Sequence, residues 1–145
     1  MLGVAAQNIG IVCQLEGEAA RQSGDEITAR QRFDEAEQSL QEGLKLKIEQ
    51  GNKPLEATAC GQLSQVYLLM DALDQAEEYA HRAREIHESL GLKEVHMEYH
   101  TLAAIARARG DEAQAAQWEA RRDEVRTELA RRARGGAATD ASLSQ

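Results

Sequence analysis

His96 and His100 stand four residues apart. On a helix that spacing puts both imidazoles on one face, where they could share a metal ion. The zinc-protease arrangement needs a glutamate directly after the first histidine, and here that position is Met97. Glu98 is the nearest further ligand, and its helical position points elsewhere. A metal-dependent enzyme using His96 and His100 therefore ranks third among the functions to weigh, and no catalytic residue, metal or cofactor is expected. His81 and His87, six apart, do not share a face. They sit among Glu77, Glu78, Arg82, Arg84 and Glu85, which reads as a solvated helix laced with ion pairs. Cys13 has no histidine partner and, like Cys60, falls inside an apolar helical pattern, so both read as core thiols in a reducing compartment. Gly10 and Gly17 are isolated, with no Gly-Lys-Ser/Thr after them to make a phosphate loop. Tyr67, Tyr79 and Trp118 read as packing residues. Arg121, Arg122, Arg126, Arg131, Arg132 and Arg134 read as a solvated face, with a docking surface for an acidic partner as the alternative.

The elements that would position these residues are helices. Ala, Glu, Gln, Arg and Leu dominate, aromatics are 3%, and Pro54 is the single proline, so strand formers are scarce. Hydrophobic residues at 42% supply a core, which excludes a chain disordered throughout. The net charge of -8 repels phosphate backbones, so no nucleic-acid partner is expected. No apolar run approaches the roughly 20 residues of a membrane helix. The apolar start, Met1 to Ala6, lacks the basic region of a signal peptide, so no membrane partner and a cytoplasmic location are expected.

Helical periodicity runs almost end to end. It breaks at Gly51-Asn52 with Pro54, at Met70-Asp71-Ala72, at Leu90-Gly91 and at Gly110-Asp111. Three pairs fit a capping box: Asp34 with Glu37, Asp74 with Glu77, and Asp111 with Gln114. They suggest a repeated unit. Setting Leu63 on Leu102 places Asp71 on Gly110, Ala76 on Ala115, Tyr79 on Trp118 and Ile86 on Val125, a spacing of 39 (102 − 63). Setting Phe33 on Leu73 places Ala36 on Ala76 and Gly51 on Gly91, a spacing of 40 (73 − 33). Each unit is two helices and a tight turn. The chain is expected to form one domain over residues 1–134, followed by a small, polar, disordered tail over 135–145.

The motifs resemble the tetratricopeptide repeat family, whose first helix carries Leu-Gly-x-x-Tyr with an alanine nine residues after the tyrosine. Leu63-Ser64-x-x-Tyr67 is followed by Ala76, Ala80 and Ala83; Leu102-Ala103-x-x-Ala106 by Ala115; Ile9-Gly10-x-x-Cys13 matches the opening helix. The resemblance covers about Ala5 to Leu129. The units exceed the usual roughly 34 residues, which is similar to the long-repeat variety of kinesin light chains and the helical sensor domains of regulatory ATPases. Between Cys13 and Ala36 lie 14 residues more than between Tyr67 and Ala76 (23 − 9). This insert, about Gln14 to Ala29, is close to four helical turns and would lengthen both helices of the first hairpin, with a protruding tip near Ser23-Gly24-Asp25.

The resemblance implies an all-α, right-handed α-solenoid of about three helix-turn-helix repeats, with the inner face lined by the first helix of each. The family's groove positions fall on Gln7, Ile11 and Gln14, on Thr58, Gly61, Gln65, Leu68 and Leu69, and on Met97, His100, Ala104 and Arg107. The basic clamp that grips acidic chaperone tails is replaced by Gln7, Ile11, Gly61 and Gln65. A non-catalytic scaffold that binds a peptide or helix of another protein is thus the first expectation. The alternative is a homodimerisation element using the apolar face that begins at Met1-Leu2-Gly3-Val4.

Overall fold

The structure is a computed structural model that describes the backbone of residues 2–143 and the side chains of residues 9–136. Among the described residues the chain forms six helices and no strand: α1 (Leu2–Gln22), α2 (Glu26–Glu49), α3 (Lys53–Leu69), α4 (Leu73–Ser89), α5 (Val95–Ala108) and α6 (Glu112–Leu143). They pair in chain order as three hairpins, and the second helix of one hairpin packs on the first helix of the next, α2 on α3 and α4 on α5. The architecture is an all-α solenoid.

One turn chemistry closes all three hairpins. Gly24, Asp71 and Gly110 take positive φ of 85°, 60° and 80°. The following N–H groups of Asp25, Ala72 and Asp111 donate back to the carbonyls of Ala20, Tyr67 and Ala106 at 2.8, 2.9 and 2.9 Å, which satisfies the ends of α1, α3 and α5. Asp71 holds this left-handed position without being glycine, which a short polar side chain tolerates.

The expected caps hold at one end in three. Asp111 Oδ1 accepts from the Gln114 N–H at 3.0 Å and starts α6. Asp74 lies inside α4, whose N-cap is Ala72 with no side-chain bond. Asp34 lies deep inside α2, which is capped instead by Asp25, accepting from the Thr28 N–H at 3.1 Å. The insert moves that start nine residues upstream (34 − 25), and a capping pattern has no power to begin a helix where an earlier cap has already begun it.

Ala36, Ala76 and Ala115 are fully buried where paired helices cross. Small side chains there let the helices approach closely. The first hairpin goes further. A Cβ added at Gly10 would lie 2.7 Å from Leu40 Cγ, and one at Gly17 would lie 2.6 Å from Phe33 Cε1, so α1 rests on α2 through bare backbone. The tip falls at Ser23-Gly24-Asp25, between α1 and α2. α2 has 24 residues and α3 has 17, so α2 is longer by 7, about 10 Å at the helical rise. Arg21 ties the raised tip down: its Nη1 donates to the Leu69 carbonyl at 2.7 Å, while its guanidinium sits 4.8 Å from the Phe33 ring centroid.

α6 continues through Gly135-Gly136 to Leu143, so the backbone marks no break at residue 135. Two glycines in a helix interior cost about 1 kcal/mol each, which a 32-residue helix absorbs. Residues 129–136 of that helix are exposed.

Aromatic pairs tie together the two helices of the second and third hairpins, and the first tyrosine of each pair reaches back to the preceding hairpin. Tyr67 stacks on Tyr79 at 5.6 Å and Tyr99 on Trp118 at 5.8 Å. The Tyr67 hydroxyl donates to Glu37 at 2.8 Å and the Tyr99 hydroxyl to Glu88 at 2.7 Å. Burial, reinforced by these carboxylates, pushes both phenols up to about 12. The unfolded phenols ionise near 10, so their contribution to stability is complete below pH 10 and is lost as the pH rises towards 12. Phenolate absorbance should therefore show two tyrosines titrating near 12 in the folded protein, and alkaline unfolding should begin above pH 10.

Candidate partner-binding trough

α3 and α5 each present a side free of the second helices, and two clefts open there. The lower, of about 220 Å³, is lined by Thr58, Gly61, Gln62 and Gln65 of α3 with Glu94, Met97, Glu98 and Thr101 of the α5 strip. The upper, of about 290 Å³, is lined by Gln14 and Glu18 of α1, Gln65, Leu68 and Leu69 of α3, and His100, Thr101 and Ala104 of α5. Gln65 and Thr101 line both, so the two are continuous. Thr58 to Leu69 spans eleven residues of helix (69 − 58), about 16 Å of trough.

Nine of the twelve groove positions expected from sequence meet there: Gln14, Thr58, Gly61, Gln65, Leu68, Leu69, Met97, His100 and Ala104. Ile11 is half-buried on α1 and lines neither cleft. Arg107 is exposed near the end of α5, where it pairs with Glu112 and Glu119. The side chain of Gln7 lies outside the described residues. Leu68 and Leu69 also pack against the core cluster, so they are shared between core and trough. Glu18, Gln62, Glu94, Glu98 and Thr101 were not anticipated; for all but Glu98, a spacing of three or four residues from an expected position is the signal that places them there.

Behind the lower cleft lies a buried hydrogen-bonded pair, of which Glu98 lines the cleft. His87 and Glu98 are each only 4% exposed, and His87 Nδ1 donates to Glu98 Oε2 at 2.6 Å. This overturns the reading of His87 as a solvated residue: α5 packs on that face of α4 and takes the imidazole inside. Gly61 makes room for the same carboxylate, since a Cβ there would lie 3.0 Å from Glu98 Oε1.

His96 and His100 do not share a partner, and His96 Nδ1 is buried without a hydrogen bond. Arg122 Nη1 donates to His100 Nδ1 at 2.9 Å. His96 is held below its usual value, first by burial and then by Arg126. Among the described residues no three His, Cys, Asp or Glu side chains converge as a metal site. Cys13 is buried and its thiol is pushed up, first by burial and then by its contact with Glu35. Another hollow, of about 340 Å³, opens between α4, α5 and α6 beside Trp118. Arg109 at its rim is already bound to Asp74 and Glu77, so its charges are mutually satisfied. Among the described residues no helix is long and apolar enough to cross a membrane.

Fold and trough together define the class, an all-α solenoid of helix hairpins with a continuous trough along its first helices. No family model matches the chain, and no curated protein matches it. Among solved structures it is similar to the N-terminal domain of stress-induced protein-1 (STI-1) from C. elegans, with 17% sequence identity, a TM-score of 0.47, and coverage of 83% of this chain and 87% of that one.

Proposed function

We propose that the chain is a non-catalytic protein-interaction scaffold of tetratricopeptide type that holds a peptide or helix of a partner protein in the trough along α1, α3 and α5. The observation that carries this reading is the continuity of the two clefts. About 16 Å accommodates three turns of helix or five extended residues. Leu68, Leu69, Met97 and Ala104 offer apolar contact, while Gln14, Thr58 and Gln65 offer neutral hydrogen-bonding groups suited to a peptide backbone. Glu18, Glu94 and Glu98 line the clefts and no Lys or Arg does, so the fitting segment combines apolar side chains with Lys or Arg at its margins.

Met97 is the cleanest probe, because it is 49% exposed and takes no part in the core. Met97→Arg is expected to weaken partner capture about tenfold or more with an unchanged melting temperature, since it puts a cation where the trough is acidic and apolar. Leu68→Arg should weaken capture too, and should also lower stability because Leu68 is half-buried. The measurement is affinity capture with the full chain and both variants, followed by titration of whatever is retained. Equal capture by Met97→Arg would move the binding site off the trough.

A further inference from the structure

The repeat alignment locates a second surface, on the opposite flank of α1. Ile9 and Val12 correspond to Leu63 and Val66 of α3 (63 − 9 = 66 − 12 = 54) and to Leu102 and Ile105 of α5 (102 − 9 = 105 − 12 = 93). Those four are 0–3% exposed. Leu63 and Val66 share one buried cluster with Leu40 and Leu44 of α2, and Leu102 and Ile105 lie on the side of α5 that faces α4. In each case the second helix of the preceding hairpin covers them. Ile9 and Val12 carry the same apolar types in the same register, yet are 54% and 51% exposed, with Leu15 beside them at 59%. Three large aliphatic side chains, half or more in water on one helix face, make a stripe suited to burial by another helix.

We propose that this stripe is covered by the same stripe of a second copy, α1 against α1 across a two-fold axis. Charge decides between self-contacts. A head-to-tail contact would lay α6 of one copy on α1 of the next, in the manner of α4 on α5. The repeat spacing of 39 puts Glu119, Arg122 and Arg126 of α6 at the places of the buried Ala80, Ala83 and His87. Covering Ile9 and Val12 with those residues would desolvate charges without apolar gain. The α1 stripe, by contrast, is neutral: Glu16 at its edge is already paired with Arg32 at 3.2 Å. Two chains of net charge -8 repel over most of their surfaces, and the stripe lets them meet where that repulsion is weakest. Such a contact is isologous and closes at two copies. The trough lies on the other flank of α1 and stays open in the pair.

The test is light scattering on the full chain across a dilution series, with Val12→Glu and Met97→Arg in parallel and helix content followed by circular dichroism. Val12 is exposed, so Val12→Glu folds. A wild-type dimer that Val12→Glu dissociates with about a hundredfold weaker self-affinity, two carboxylates being forced into one apolar contact, supports the inference. A wild-type chain monomeric at every concentration overturns it. So does a dimer that survives Val12→Glu, or one that Met97→Arg dissolves and Val12→Glu does not, because the contact then lies elsewhere. A failed Val12→Glu test leaves the trough reading standing, since partner capture is read separately.

Discussion

His87→Ala is expected to lower the free energy of unfolding by about 3 kcal/mol, the cost of leaving a buried carboxyl group without its partner together with the cavity left by the ring. Glu98 is 4% exposed, and His87 Nδ1 is its hydrogen-bond donor at 2.6 Å. Alanine leaves the Glu98 carboxyl group without that partner between α3 and α4. Removing both polar groups should be far milder, because an apolar pair of similar volume leaves no buried polar group without a partner. The double variant His87→Leu, Glu98→Leu should thus recover most of what the single variant loses. Urea unfolding of the wild type, both single variants and the double variant gives the coupling. A single variant within about 1 kcal/mol of wild type would show that the pair is not the lock between the second and third hairpins. The effect reaches the trough, since Glu98 lines its lower cleft beside Gly61. His87→Ala should disturb partner binding although His87 itself lines neither cleft.

Signals carried by a local backbone conformation were legible in the sequence, and those decided by packing were not. Every helix break was legible, because Gly51, Asp71, Gly91 and Gly110 hold positive φ and so carry their signal locally. The lengthened first hairpin was legible too, since an insert near four turns preserves the helical face. Asp34 misled because its capping pattern is local and the competing cap, Asp25, lay in the insert. His87 misled for a different reason. Its neighbours Arg84, Glu85 and Glu88 are charged, and a run of charge marks a helix as wet without saying which single position turns inward. Only the packing of α5 on α4 makes that choice, and it chose the position whose imidazole could meet Glu98. Ile9 shows the converse. The Leu-Gly-x-x-Tyr register aligns it with Leu63 and Leu102, but a register fixes which face is apolar and not what covers it. In the same way most of the trough was found from the repeat, while Glu18 and Glu94, which set its charge, lay outside the positions that the repeat names.

Phe33→Ala is expected to cost about 3–5 kcal/mol and to act first on the long hairpin. Phe33 is fully buried in α2, and its ring lies against the bare backbone of Gly17 in α1 and beneath the Arg21 guanidinium. Removing the ring opens a cavity that α1 cannot fill, having no side chain at Gly17 to move into it. It also removes the surface over which Arg21 extends to the Leu69 carbonyl, so the tie between hairpin tip and α3 weakens as well. Hydrogen exchange separates these effects. Amides of residues 14–33 should lose protection well before those of α5, because the solenoid transmits stability from neighbour to neighbour and not through one central core. Gly17→Ala supplies the complementary case: its Cβ would meet the ring at 2.6 Å, and overpacking of that kind costs about 1–3 kcal/mol. Phe33→Leu added to Gly17→Ala should return part of that loss, since the shorter side chain vacates the space the methyl needs. If the two changes are instead additive, the ring does not rest on Gly17, and the close approach of α1 to α2 owes its stability to Gly10 and Leu40 alone.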